Sequence, residues 1–383
     1  MTLTHILTHV FGTLYSASYP RVREEFNLSI EQLGVIAAIP PLCQAILAIP
    51  AGALTDRVGS KKTLLLSIVI SIIGSILAAY SRSPLMLIIA VSLVYLNTTI
   101  YHPSSYGFIT RFFSKEERPK ALGIHGAGGT FGMSLGSLSL SAFLVLFGLG
   151  WRQVYLFWSV PLIIGALLTL RLPSDEDMEE SITQSPTSSG MIDSGPSKLL
   201  TSGMMSFLVY SAIGTIGMTL IGSFMTLYMV DVKGFTEVQM GFLYGISRST
   251  GLIAAPIGGV IASRFGAKKW LQVTRVLVII LLGMVSISPG GIIFGAIYLV
   301  YSFSGTLGMA ARSSLVASLT PRNQRGMGYA LLFLPGSIMG AVSPVLAANI
   351  ISNYGHSALF PVSIVLYIIA LGILVFFIKD PDL

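Results

Sequence analysis

The stretch that decides the fold is residues 52–62, Gly-Ala-Leu-Thr-Asp-Arg-Val-Gly-Ser-Lys-Lys, which stands between two long apolar segments. Residues 259–269, Gly-Val-Ile-Ala-Ser-Arg-Phe-Gly-Ala-Lys-Lys, repeat the pattern at a constant offset of 207 positions. The glycines permit a tight turn and a close approach of neighbouring helices, while the cations suit the anionic inner surface of a bilayer. One such turn could serve only to fix topology, but two copies at a constant offset predict two related halves of the chain.

The composition of the whole chain predicts a membrane protein. Of its 383 residues, 53% are hydrophobic and 10% are charged, and the mean hydropathy is +0.80. Because soluble domains carry about 25% charged residues, these values exclude a soluble enzyme, a disordered scaffold and a coiled coil. Apolar runs of about 20 residues recur, which is the length of a membrane-crossing helix. We therefore predict an all-α integral membrane protein with twelve transmembrane helices in two pseudo-symmetric six-helix bundles.

The bundles are predicted at residues 1–172 and 201–383, joined by a cytoplasmic linker at 173–200. The linker differs from its surroundings because it is rich in Asp, Glu, Ser, Thr and Pro, a composition typical of flexible connections. The spans are predicted at about 3–20, 30–54, 62–80, 84–109, 119–147, 151–172, 201–230, 238–262, 270–287, 290–319, 326–350 and 356–378.

The distribution of cations predicts the orientation in the membrane. With the N-terminus inside, cytoplasmic segments hold 15 Lys and Arg residues and outer segments hold 5, and cytoplasmic loops normally carry such an excess. Both termini are therefore predicted to be cytoplasmic, in the plasma membrane. The formal charge of +7 follows loop sidedness and does not indicate nucleic acid. No Lys or Arg precedes Arg21, so the first apolar run is predicted to be a retained span rather than a signal peptide.

The 52–62 segment resembles the cytoplasmic loop signature of the major facilitator superfamily, Gly-x-x-x-Asp-Arg-x-Gly-x-Lys-Lys, and the span count, linker and repeat agree with that family. The resemblance implies alternating access, with this loop acting as a latch between the halves in the outward-open state. Ser263 replaces the acid in the second copy, so the second latch is expected to be weaker. The implied latch residues are Gly52, Asp56, Arg57, Gly59, Lys61 and Lys62, with Gly259, Arg264, Gly266 and Lys268 in the second copy.

Span five has a glycine pattern with two interpretations. Gly123, Gly132 and Gly136 have the spacing of the antiporter branch, although Ser137 stands where that branch has proline. The glycines either belong to such a motif or simply pack helices together. The segments around Tyr101-His102-Pro103 and 126–136 are also similar to fosmidomycin-resistance-type exporters.

Few polar side chains lie inside the predicted spans. A charge at mid-bilayer costs about 2.5 kcal/mol or more, so it should face a cavity or a partner. All 16 acids lie in loops or at helix ends. The predicted substrate and cavity residues are His9, His102, Arg248, Arg312, Tyr101 and His125, on spans that line or flank the cavity in the resembled family.

Each of these residues could instead satisfy hydrogen bonds within or between helices. His5 could also be merely solvated near the inner interface, while His9 lies one turn deeper on the same helix face. Arg275 follows Lys269 closely enough to extend to the inner interface.

A gradient-driven transporter is the predicted function. The sequence shows no phosphate-binding loop, catalytic triad or metal-ligand pattern, so we predict no enzyme activity, no cofactor and no metal, and the single cysteine, Cys43, excludes an intramolecular disulfide. Arg248 and Arg312 without a nearby acid favour a small organic anion as the solute. For proton coupling, His9 and His102 are the predicted carriers.

Other functions stay open at this point. They are proton-coupled efflux of neutral or lipophilic drugs, uniport or exchange, and a non-transporting membrane receptor or scaffold. The expected partners are the solute, protons and the lipid bilayer, with the chain acting as a monomer and binding no nucleic acid.

Overall fold

The computed structural model describes residues 1–113, 118–174, 200–319 and 325–379, and the regular elements in these residues are all helices. The described residues form two compact units. The first comprises residues 1–26 and 39–174, and the second comprises residues 27–38 and 200–379. The predicted linker lies largely outside the described residues, and the predicted domain boundaries stay predictions.

Seven helices begin in the first half of the chain. They are α1 (Thr2–Ala17), α2 (Tyr19–Glu25), α3 (Ile30–Val58), α4 (Ser60–Ala79), α5 (Pro84–Phe112), α6 (Arg118–Phe147) and α7 (Trp151–Leu170). Within the first unit, α4 packs against α5 and α7, and α1 packs against α6.

Eight further helices follow, with a π-helical turn at Tyr228–Val232 and a 3-10 turn at His356–Ala358. They are α8 (Ser202–Leu227), α9 (Glu237–Ser249), α10 (Gly251–Phe265), α11 (Ala267–Ile287), α12 (Ile292–Leu307), α13 (Met309–Leu319), α14 (Arg325–Tyr354) and α15 (Leu359–Phe376). In the second unit, α8 packs against α14 and α15, and α11 packs against α12 and α15.

The all-helical membrane fold is confirmed. Nine helical stretches of the described residues are long and apolar enough to cross a bilayer. The other three predicted spans correspond to α1, which is only 16 residues long, to the broken pair α9–α10, and to α14, whose described apolar part is Ile338–Tyr354. Every predicted span therefore coincides with one helix or with two consecutive helices.

Two spans that were predicted as continuous are each divided into two helices. The first break lies at Thr250, between α9 and α10, and the second at Gly308, between α12 and α13. At the second break, Trp270 donates from Nε1 to the carbonyl oxygen of Leu307 at 3.1 Å. A carbonyl that loses its partner at a helix end needs another donor in a bilayer, and the indole supplies it.

A row of glycines on α6 sets the contact between α6 and α1. A β-carbon at Gly132 would lie 2.2 Å from the carbonyl oxygen of Ile6, and one at Gly136 would lie 2.1 Å from that of Val10. No side chain larger than hydrogen fits at such distances. By contrast, a β-carbon at Gly123 would meet nothing within 4 Å. Two of the three glycines singled out in span five therefore have a packing role, as expected for small residues between membrane helices.

Candidate functional site

The two copies of the loop signature form the same local structure. Gly59 ends α3 and precedes α4 with φ at 92°, and Gly266 ends α10 and precedes α11 with φ at 88°. Glycine adopts this backbone conformation at little cost, which explains its place in both copies. Arg57 and Arg264 are both exposed at these helix ends.

Among the other predicted latch residues, Lys268 contacts another helix. Lys268 donates from Nζ to the carbonyl oxygen of Val375 at 3.2 Å, which ties the second turn to the end of α15. The side chain of Asp56 lies outside the described part of the chain. The latch assignment therefore stays a prediction.

Four of the five histidines in the sequence meet in the first unit. His5 and His9 lie one turn apart on α1, His102 lies on α5 and His125 on α6. The His5 ring centroid is 4.7 Å from that of His9, 5.3 Å from that of His102 and 3.9 Å from that of His125. We refer to these four residues as the histidine cluster.

Hydrogen bonds fix two of the rings. His5 Nδ1 lies 2.5 Å from the carbonyl oxygen of His125, and His102 Nδ1 lies 2.8 Å from that of Thr98. A carbonyl oxygen can only accept, so both Nδ1 atoms carry the proton and both Nε2 atoms present a lone pair in the neutral ring. His9 Nε2 lies 3.1 Å from His5 Nε2. His102 thus bonds the carbonyl oxygen of Thr98, which is not the carbonyl that Pro103 leaves without an N–H donor, and keeps its second nitrogen for another partner.

The rings of His125 and Tyr101 lie nearly parallel to that of His5. The His125 ring stacks on His5 with an angle of 4° between the planes, and within the described residues neither ring nitrogen has a hydrogen-bond partner. The Tyr101 ring is nearly parallel to both imidazoles, with its centroid 5.6 Å from that of His5 and 6.0 Å from that of His125, and its hydroxyl shares a hydrogen bond of 2.8 Å with Thr4. The structure therefore brings together four of the six predicted substrate and cavity residues.

The other two predicted residues, Arg248 and Arg312, belong to the second unit. Arg248 donates from Nη2 to the Tyr244 hydroxyl at 2.6 Å, and its guanidinium lies 4.8 Å from the Tyr244 ring centroid. Its Nε is buried and has no hydrogen-bond partner among the described residues. Tyr298 and Tyr301 also lie within electrostatic range of the Arg248 guanidinium.

For a third arginine, Arg275, the predicted extension to the inner interface is wrong. Its Nε donates to the Tyr210 hydroxyl at 2.9 Å, and the guanidinium lies 5.7 Å from the Tyr210 ring and 5.9 Å from the Tyr367 ring. Both tyrosines are buried, so the charge points toward the interior of the unit. The guanidinium therefore lies near two aromatic faces, where a cation is favourably placed, and does not extend to the interface.

Arg312 lies near the same group. It is half-buried on α13, directly after the buried Ala311, and is within electrostatic range of Tyr210 and Arg275. The second unit thus contains an arginine–tyrosine cluster, which we define as Arg248, Arg275 and Arg312 with Tyr210, Tyr244, Tyr298, Tyr301 and Tyr367.

The three arginines of this cluster lie in a part of the sequence that has no acids. Between Glu237 and Asp380 there is no Asp or Glu, although all three arginines fall in this interval. Carboxylates from the same stretch therefore cannot neutralise them. At Arg248 and Arg275, tyrosine hydroxyls accept hydrogen bonds from the guanidinium groups and leave their positive charge intact.

Comparison with known proteins identifies the family and the fold. The sequence model of the Major Facilitator Superfamily matches residues 1–311. A probable nitrate transporter, NarT, from Staphylococcus epidermidis is 25% identical over 94% of this chain and 89% of the relative. The NarT of Staphylococcus haemolyticus is 24% identical, with 94% and 90% covered.

Solved structures agree in fold. A bacterial homologue of the human lysosomal transporter Spinster, in an inward-facing unoccupied conformation, superposes with a TM-score of 0.81 at 16% identity, covering 99% of this chain and 96% of that one. A D-xylose–proton symporter superposes with a TM-score of 0.79 at 14% identity, covering 100% and 97%. These neighbours support the arrangement of twelve helices in two bundles.

Proposed function

The chain belongs to the Major Facilitator Superfamily, and we propose that within this family it is a secondary transporter of a small planar oxyanion of the nitrate class. The family and the relatives support a multi-pass membrane transporter of a small solute. The identity of the solute is the proposed part.

The proposal rests on the hydrogen bonding and the charge environment of the Arg248 side chain. Its guanidinium is held by Tyr244, its Nε is buried without a partner among the described residues, and its stretch of sequence contains no acid. A guanidinium stays protonated in proteins and presents its N–H donors in a planar fork. An oxyanion supplies both the missing acceptor and the missing negative charge.

Nitrate suits this site in shape as well as in charge. Its three oxygens are coplanar, so two of them can accept from one guanidinium edge in the bidentate manner of a carboxylate. The NarT relatives are named probable nitrate transporters, which favours an inorganic anion over the organic anion expected from the sequence. Organic carboxylates and phosphonates offer the same pair of oxygens and are therefore the second candidate class.

Uptake of an anion into a cell requires a coupled ion. An inside-negative potential opposes entry of one negative charge by about 2.3 kcal/mol for each 100 mV, and one proton moving with each anion cancels that charge. We therefore include proton symport in the proposal. That His9 or His102 carries the proton stays a prediction from the sequence.

The proposal places the chain in the plasma membrane as a monomer with both termini in the cytoplasm. The count of 15 inner against 5 outer cations supports this orientation. In the same arrangement, the 52–62 and 259–269 turns lie on the cytoplasmic side and serve as the latches of alternating access.

Counterflow in proteoliposomes tests the choice of solute. Vesicles loaded with unlabelled nitrate should take up labelled external nitrate faster than protein-free vesicles. External carboxylate and phosphonate compounds rank the anions by competition, and a neutral lipophilic dye serves as the control solute. Transport of the dye without any anion counterflow would make drug efflux the function and overturn the proposal.

A further inference from the structure

The histidine cluster contains the elements of a metal site. We propose that His5, His9 and His102 bind a divalent transition-metal ion of the zinc, nickel or copper class. One ligand nitrogen from each of the three rings lies within 4.8 Å of those of the other two. The proposal concerns the first unit alone and does not depend on the identity of the transported anion. A metal-bound imidazole cannot take up a proton, so the metal-bound state and the predicted role of His9 and His102 as proton carriers exclude each other.

The distances are close to those of a metal centre. Zinc binds histidine nitrogen at about 2.0–2.1 Å in tetrahedral sites, which places two ligand nitrogens roughly 3.3 Å apart. The His5 and His9 Nε2 atoms are 3.1 Å apart, so this pair has the required separation. The third ring needs to approach by about 1.5 Å to complete the same geometry, a movement within reach of a histidine side chain on a proline-containing helix.

The tautomers of two rings are already those of metal ligands. Histidines that bind metals usually donate the other ring N–H to a carbonyl or a carboxylate, which directs the lone pair at the ion. His5 and His102 each make this bond from Nδ1 to a backbone carbonyl oxygen. Without metal, His9 Nε2 is the donor to the lone pair of His5 Nε2, so metal binding requires the His9 proton to move to Nδ1, a tautomer that the neutral ring allows.

The surroundings restrict the class of ion. The three ligands are all imidazoles and no carboxylate belongs to the group, so Mg²⁺ and Ca²⁺, which prefer oxygen ligands, should bind poorly. Zinc, nickel and copper favour imidazole. The neighbouring His125 is buried with two unpartnered ring nitrogens, and because buried polar groups normally have partners, this points independently to a polar ligand at the cluster.

The packing of α6 makes room for the ligand rings. A β-carbon at Gly129 would lie 2.7 Å from His5 Cε1 and 3.0 Å from His9 Cδ2. Glycine at this position therefore lets both rings lie against α6. A bound ion would then join α1 to α5 at one point and stabilise the first unit.

Cobalt spectroscopy and zinc binding test the proposal on the full-length protein in detergent, purified without a polyhistidine tag. Cobalt should give visible absorption bands of a low-coordinate nitrogen site, and zinc should remove them by competition. Zinc should also raise the melting temperature by several degrees, whereas Mg²⁺ at the same concentration should not. X-ray absorption of the zinc-loaded wild type should show nitrogen ligands at about 2.0 Å. The absence of both the cobalt bands and the zinc-dependent shift in melting temperature, in folded wild-type protein, would overturn the proposal.

Substitutions locate the site. His9→Gln and His102→Gln should each weaken zinc binding by at least about tenfold and remove the cobalt bands. His356→Gln is the matched control, because His356 is the one histidine outside the cluster and lies 3.8 Å from Asp231 instead. Unchanged zinc affinity in folded His9→Gln and His102→Gln would contradict the assignment, as would equal loss in His356→Gln. A lower melting temperature without zinc, with the zinc response intact, would show that the cluster only packs helices.

Discussion

Arg248 and Tyr244 lie one turn apart on α9, and the arginine donates from Nη2 to the tyrosine hydroxyl at 2.6 Å while its charge lies over the same ring. The pair has two consequences for an anion site. The hydroxyl holds the guanidinium in one orientation, and because it is neutral it leaves the full positive charge available to a solute. The remaining donors, including the unpartnered Nε, can then serve the anion.

Removal of the Tyr244 hydroxyl should weaken anion binding without removing the charge. In Tyr244→Phe the aromatic face stays and the orienting hydrogen bond is lost, so we expect the apparent affinity for nitrate to fall about three- to tenfold. Tyr354→Phe, at a tyrosine that is 78% exposed, is the matched control and should have no effect. Competition counterflow measures both, and equal affinity in Tyr244→Phe and wild type would show that the hydroxyl does not orient the arginine.

Lysine substitutions separate a binding role of the arginines from a structural one. Arg248→Lys and Arg312→Lys keep the charge and lose the planar fork, so nitrate affinity should fall at least about tenfold, equal to about 1.4 kcal/mol. Neutral solutes should be affected less. Arg82→Lys, at an exposed arginine, controls for the exchange itself.

The same lysine variants can also contradict a binding role of the arginines. Unchanged anion affinity in folded Arg248→Lys and Arg312→Lys, or an equal loss for neutral and anionic solutes, would mean that the arginines only satisfy the protein interior. Drug efflux would then become the leading interpretation of a transporter whose family assignment is unaffected.

The glycine row on α6 predicts a stability difference between two similar variants. Gly132→Ala places a β-carbon 2.2 Å from the Ile6 carbonyl oxygen, so α1 and α6 must separate, at a cost of about 1–3 kcal/mol. Gly126→Ala on the same helix meets nothing within 4 Å and should be neutral or slightly stabilising. Thermal unfolding in detergent compares the two, and equal melting temperatures would contradict the packing role.

The acid of the first loop signature, Asp56, is replaced by Ser263 in the second copy, and this difference predicts latches of unequal strength. Asp56→Asn should lower transport while expression and insertion stay near normal, because loss of one charge-assisted hydrogen bond shifts the conformational balance by about 1–3 kcal/mol. Ser263→Ala changes the matching position of the second copy, where the Ser263 hydroxyl donates to the Val260 carbonyl oxygen of its own helix, and should leave transport unchanged. Turnover and accessibility labelling measure the effect, and wild-type values in Asp56→Asn would rule out the latch.

Much of the fold could be predicted from the sequence because a bilayer imposes simple rules. Apolar length and the positions of basic turns predict the helices, and the repeated glycine turn at Gly59 and Gly266 follows from backbone preference. The breaks at Thr250 and Gly308 do not follow from apolar length, and the break at Gly308 is accompanied by a tertiary contact. This contact is the hydrogen bond from the Trp270 indole to the Leu307 carbonyl oxygen.

The sequence predicts several residues of the candidate site, but it does not predict which of them lie next to one another. Scarcity of polar residues in apolar spans pointed to His9, His102, Arg248 and Arg312, since such residues are costly unless they have a role. Sequence spacing could not show that three helices bring the histidines together. It also placed Arg275 at the interface, because proximity to Lys269 carries no information about the Tyr210 hydroxyl on another helix.

Nitrate accumulation in proteoliposomes, with the pH gradient and the membrane potential set independently, tests the central claim most directly. The account predicts that an acidic exterior drives nitrate inward above its electrochemical equilibrium, even against an inside-negative potential, and that Arg248→Lys reduces this accumulation while Arg82→Lys does not. Nitrate that merely follows the membrane potential, or fails to move while a neutral solute is transported, would contradict it.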